Sequence, residues 1–159
     1  ILKFEKNTRM KKLVFPFLVI AVIFSACKKE EETPTNNTAT TYAFSCKING
    51  ADFTDNNPSA IVDPSTNVFT IDAEDGANSI RLIIYNFSNR TANEQISLNN
   101  LTDKAYVILG TDEYTNTQSG QLIFSNIGNP LSGTFNVICK DANFQPVTVT
   151  EGEFVNVTY

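Results

Sequence analysis

The chain has no histidine and no tryptophan among its 159 residues, and little else in the way of reactive chemistry: one methionine, three cysteines and 18% charged residues. Each shortage closes off a class of function. Without histidine there is no His-dependent triad, no His-ligated zinc and no haem on an axial imidazole. Without tryptophan the preferred platform for stacking sugars is gone. No serine sits in the Gly-flanked pattern of a nucleophile elbow. Cations are scarce too, with 12 Lys plus Arg against 17 Asp plus Glu and a net charge of −5. Nucleic acid needs a basic face, so it is not an expected partner.

Long hydrophobic runs are also nearly absent. The exception begins at Met10, continues through Lys11 and Lys12, and runs apolar from Leu13 to Phe24 before Ser25, Ala26 and Cys27. A charged start, an apolar middle and small residues at a cleavage point make a signal peptide over residues 10–26. The 14 residues Leu13–Ala26 would reach about 21 Å as a helix, short of a hydrocarbon core of about 30 Å. Pro16 disfavours a spanning helix further. Residues 1–9, which include Glu5, read as an upstream extension ahead of the true start.

Phe24-Ser25-Ala26-Cys27 resembles the lipobox of bacterial lipoproteins, with Phe24 in place of the more usual Leu. The resemblance implies cleavage between Ala26 and Cys27 and a lipid on the Cys27 thiol. Each buried methylene contributes about 0.8 kcal/mol, so two or three acyl chains anchor a protein almost permanently. Lys28-Lys-Glu-Glu-Glu32 looks like the export signal of surface-exposed lipoproteins in the Bacteroidota. The expected location is therefore the outer membrane, facing the cell exterior. Thr33–Thr41 completes a polar, aperiodic tether over 27–41. Processing removes Lys3, Lys6, Arg9, Lys11, Lys12 and Glu5, leaving seven basic residues against 16 acidic ones, a net charge of −9.

From Tyr42 the pattern changes to period two. Tyr42, Phe44, Cys46 and Ile48 alternate with Ala43, Ser45 and Lys47, and Asn49-Gly50 supplies a hairpin turn. Similar runs follow at Ala51–Phe53, Ser59–Val62, Val68–Ala73, Ser79–Ser88, Gln95–Asn99, Ala105–Gly110, Ser119–Ile127, Leu131–Lys140, Val147–Thr150 and Glu153–Tyr159. In Ser79–Ser88, Ile80, Leu82 and Ile84 share one face while Ile83, Tyr85 and Phe87 share the other, as a central strand would. Thr91 and Glu94 have capping-box spacing, but the alternation after them favours a strand with at most one helical turn before it. Gly152 reads as the centre of a last hairpin. The expectation is an all-β domain over 42–159, an antiparallel β-sandwich or small barrel of about nine or ten strands. Gly120, Gly133 and Gly152 each precede an aromatic-bearing strand segment, at unequal spacings of 13 and 19 residues, which reads as a repeated device and not a solenoid.

Phe44-Ser-Cys-Lys-Ile-Asn-Gly50, Leu131-Ser-Gly-Thr-Phe135 and the Gly152-Glu-Phe154 strand near Tyr159 resemble a family of small uncharacterised Bacteroidota lipoproteins. The resemblance covers nearly all of 42–159. It implies a β domain and a location, and brings no catalytic residues with it.

With Cys27 lipidated, Cys46 and Cys139 remain, both on inward strand positions. Two readings stay open. A disulfide would close a loop of about 94 residues and contribute roughly 4–5 kcal/mol; otherwise both are buried thiols. Asp72, Glu74 and Asp75, and more weakly Asp52/Asp55 and Asp112/Glu113, could present oxygens to a cation, but lack a full calcium loop. No cofactor or metal is expected. The composition favours a non-catalytic binding or accessory module, anchored to the membrane and contacting an outer-membrane protein, a small ligand or a glycan. The alternatives are a secreted carboxylate-dependent hydrolase, and a small-ligand carrier if the domain closes as a barrel around an apolar cavity.

Overall fold

The computed structural model describes residues 43–159; the expected upstream extension, signal peptide, cleavage site at Ala26 and Cys27 and tether, and Tyr42, lie outside them. Eleven strands follow in order: β1 (Phe44–Ile48), β2 (Ala51–Asp55), β3 (Ser59–Asp63), β4 (Val68–Asp75), β5 (Asn78–Tyr85), β6 (Gln95–Leu98), β7 (Lys104–Leu109), β8 (Asp112–Tyr114), β9 (Asn116–Asn126), β10 (Leu131–Lys140) and β11 (Pro146–Val157). They form two antiparallel sheets. Sheet A has the order β2-β1-β11-β10-β9-β6 and sheet B the order β3-β4-β5-β7-β8. The fold is a sandwich and does not close into a barrel.

Local chemistry explains the turns. Asn49 and Gly50 both take positive φ, as a two-residue hairpin of this twist requires. Of the seven non-glycine residues with positive φ, five are Asn, the side chain that tolerates it best. The other two are Glu151 and Phe144. Glu151 corrects the expected final hairpin: β11 runs unbroken from Pro146 to Val157, and Glu151 is a bulge inside it. The bulge switches the inward set from Val147 and Val149 to Gly152 and Phe154.

That switch explains the repeated glycines. Gly133 of β10 faces Phe154 of β11, and Phe135 faces Gly152. A Cβ on Gly133 would lie 2.5 Å from the Phe154 ring, and one on Gly152 would lie 2.6 Å from the Phe135 ring. Each phenyl therefore lies over the other strand's glycine. The two rings belong to a chain that crosses the core. It runs Phe53–Phe44 (6.1 Å between centroids), Phe44–Phe135 (5.2 Å), Phe135–Phe154 (6.5 Å), Phe154–Phe124 (5.9 Å), Phe124–Phe69 (6.0 Å) and Phe69–Phe87 (4.9 Å). Ring pairs of this kind add about 0.5–1.5 kcal/mol each beyond their burial.

Phe87 corrects the sequence reading. It does not share the outer face of Ile83 and Tyr85. The strand ends at Tyr85, Asn86 turns left-handed, and a 3-10 turn over Phe87–Asn89 swings the ring into the core against Phe69. β5 is the middle strand of sheet B, as expected.

Candidate binding surface

The two cysteines resolve as separate thiols. Cys46 and Cys139 are free and buried. Strand β11 lies between their strands in sheet A, so two spacings of about 4.8 Å already put them beyond the roughly 7 Å a disulfide allows. They are also displaced along the strands, since Cys46 lies level with Phe135 while Cys139 pairs with Val147. Burial pushes both thiols up to about 12, which makes them inert toward nucleophilic chemistry.

Cys139 helps instead to close one side of the sandwich. The Thr117 hydroxyl donates to Ala105 O at 2.7 Å and accepts from Ala105 N at 3.0 Å, while Cys139 Sγ donates to the same oxygen at 3.2 Å. Thr117 and Cys139 are cross-strand partners in sheet A, and Ala105 belongs to sheet B. β8 pairs only with residues 107–109 of β7, so the hydroxyl takes the place of a missing strand at Ala105.

Four of the acidic candidates, Asp52, Asp55, Asp72 and Asp75, are equally structural, while among the described residues no hydrogen bond or ion pair engages the carboxylates of Glu74, Asp112 and Glu113. Asp75 accepts Thr54 N at 3.2 Å, and Asp55 accepts Glu74 N at 2.9 Å, a reciprocal exchange between β2 and β4 that closes the opposite side. Asp72 pairs with Arg81, and Asp52 with Lys47. No cluster of three metal-ligating side chains occurs among the described residues. Asp103 is buried, accepting Tyr85 N at 2.7 Å and Arg90 Nη2 at 2.7 Å. Arg90 also donates to Tyr85 O and to Glu94 Oε1. The Thr91 amide, then Arg90, holds the Glu94 carboxyl below the usual range. A general acid needs the opposite shift. The capping-box spacing of Thr91 and Glu94 is thus used, Thr91 N donating to Glu94 Oε2 at 3.1 Å, but it closes a turn before β6 and starts no helix. The Asp103–Arg90–Glu94 group, which spacing alone does not reveal, fastens the crossing from sheet B to sheet A.

What the sequence could not show is how the two outer faces differ. Sheet A presents Ser45, Lys47, Thr54, Gln121, Thr134, Asn136, Thr148 and Glu153, with Ile123, Ile138 and Val155 as its aliphatic members. Sheet B presents Ile61, Val68, Ile83, Tyr85, Tyr106 and Ile108, spaced by Ser59, Thr70, Ser79, Lys104 and the Asp72–Arg81 pair. Ile61 is 62% exposed and Tyr85 39%, and the other four are half-buried. Cross-strand register joins them: Ile61 faces Thr70, which faces Ile83; Val68 faces Tyr85; Arg81 faces Tyr106. Apolar side chains gathered on one outer face, even when spaced by polar ones, make that face a candidate contact site. Family models, curated proteins and solved structures were all compared with the chain, and none matches it.

Proposed function

We propose that the chain is an outer-membrane lipoprotein, anchored through Cys27 and exposed at the cell surface, whose β domain is a non-catalytic accessory module for a membrane protein partner. The observation that carries the accessory role is the apolar outer face of sheet B in a strongly acidic domain. The lipobox pattern and the acidic tether support the anchor. Small-ligand carriage was tied to a barrel with an apolar cavity, and the sandwich interior is instead filled by aromatic and aliphatic side chains. The hydrolase alternative is weakened because four of its candidate carboxylates serve as backbone acceptors and ion-pair partners.

The test uses the full chain in its native cells. A photo-crosslinking residue replaces Tyr106, and another replaces Thr134 on sheet A as a control. One reproducible outer-membrane partner from position 106, and none from 134, supports the accessory role; equal labelling from both faces sinks it. Anchoring is tested separately: Cys27→Ser must release the protein from the membrane fraction, and retention would remove the lipid anchor from the reading.

A further inference from the structure

A second surface is lined by a different set of residues. The loop Asn99–Thr102, the start of β9 at Asn116–Gln118, Lys140 at the end of β10 and Phe144 in the β10–β11 hairpin line an open groove of about 500 Å³. Its chemistry is unlike that of the rest of the molecule. No carboxylate lines it, although the described residues hold 13 acids and five bases. Three Asn, one Gln and Thr102 supply neutral groups that both donate and accept. Asn100 Nδ2 donates to Asn116 Oδ1 at 2.8 Å, which leaves one donor and the carbonyl oxygen of Asn100 and both donors of Asn116 for other use.

Two apolar side chains flank these amides. Leu101 is 93% exposed and Phe144 69%. Both are held out by their loops. Asn99 Oδ1 accepts Leu101 N and Thr102 N, and Asp141 Oδ1 accepts Asn143 N and Gln145 N. Phe144 sits at φ 62°, a left-handed position where glycine or asparagine is the ordinary choice and where Asn fills five of the six other such non-glycine sites. A flat ring kept exposed on a disfavoured backbone indicates a job for the ring.

We infer that this groove binds carbohydrate, with Phe144 stacking on the apolar face of a sugar ring and the amides of Asn99, Asn116 and Gln118 taking its hydroxyls. Sugar hydroxyls donate and accept, as the lining does. The absence of lining carboxylates disfavours a cation, and the single Lys140 is too little for a polyanion. The lining is too polar for a lipid chain. Phe144 supplies the stacking platform that the missing tryptophan would otherwise provide.

The experiment needs no knowledge of the membrane partner, so its failure and that of the accessory role are separable. The purified full chain is run in native gels cast with dextran, xylan, mixed-linkage β-glucan or polygalacturonate, and on an array of bacterial surface glycans. Retardation or array binding by at least one carbohydrate is expected. Phe144→Gly should weaken it by about tenfold or more, the scale of one lost stacking contact, while the melting temperature stays level or rises because glycine relieves the backbone. Asn116→Ala should weaken binding without unfolding the domain. No binding across gels and array overturns the proposal, as does undiminished binding by a folded Phe144→Gly protein.

Discussion

The two sheets of this sandwich do opposite things with irregularity. Sheet A carries five register shifts, in the pairings of β11 with β1 and of β10 with β11 and β9. Sheet B carries none across four pairings. In sheet A the bulges re-aim strands so that glycines and phenyls interlock inside, and the outer face is polar. In sheet B the pairings are regular, the interior is aliphatic apart from Phe69, and the outer face keeps isoleucine and tyrosine. A regular strand alternates two faces automatically, and nothing in folding requires both to be apolar. Sheet A is therefore shaped by its interior, whereas packing inside the sandwich does not account for the apolar residues on the outer face of sheet B.

The strongest way to break this comparison is Gly133→Ala. The new methyl would meet both the Phe154 ring at 2.5 Å and the backbone oxygen of Ile123 at 2.6 Å, and the backbone cannot swing away as a side chain can. A loss of about 3 kcal/mol in chemical denaturation is expected, at the upper end of overpacking costs. A loss under about 1 kcal/mol would show that sheet A tolerates filling and that its interlock is incidental.

Next in size is Thr117→Val, at the seam where the sheets meet. Valine keeps the shape and removes the hydroxyl, leaving Ala105 N without its acceptor while Cys139 still reaches Ala105 O. The expected cost is about 2 kcal/mol, the penalty for one orphaned buried donor and a lost hydrogen bond. Thr117→Ser should recover most of it, because serine keeps the hydroxyl.

Period two made most of this legible. The strands β3, β4, β5 and β7 of sheet B, the central place of β5 and the inward Phe135, Val137 and Cys139 all follow from alternation; β8, only three residues long, does not. What alternation cannot foresee is where it changes phase. Glu151 turns left-handed in mid-strand and hides the continuity of β11 behind what reads as a turn at Gly152. Asn86 does the same for Phe87. The candidate surfaces were less legible still. Ile83 and Tyr85 read as the second buried face of a central strand, and only the assembled sheet leaves that face uncovered. Leu101 and Phe144 lie 43 positions apart in loops that the sequence marks only as polar turns.

A smaller effect on stability, with a larger one on contact, is expected from Ile83→Asn on the outer face of sheet B. The side chain is half-buried, so the fold should lose about 1 kcal/mol or less. Partner crosslinking from position 106 should nonetheless fall sharply. Asn136→Ala on the outer face of sheet A should leave crosslinking unchanged. If both variants behave alike, the outer faces are not functionally distinct.

The smallest expected effect lies at the edge of sheet B and separates the sheets by the kind of polar group each uses. Asp63 ends β3 and holds the turn into β4. It accepts the Ser65 hydroxyl and amide and the Thr66 hydroxyl, which lower its carboxyl to about 2. A carboxyl lowered in the folded state stabilises above the unfolded value near 4, and that contribution disappears as pH falls toward 2. Its partners are neutral, so salt should leave the effect in place. On sheet A, Lys47 gains its raised proton affinity from Glu151, at 3.2 Å, and from Asp52, and charge pairs in solvent are screened by salt. Asp63→Asn should therefore remove a small stability difference at pH 6 that vanishes near pH 2 and is the same at low and high salt. Glu151→Gln should give a difference that shrinks as salt is added. Carboxyl chemical shifts of Asp63 followed through an acid titration measure the first directly, and a midpoint at or above 4 would show that the turn is not held by this carboxylate.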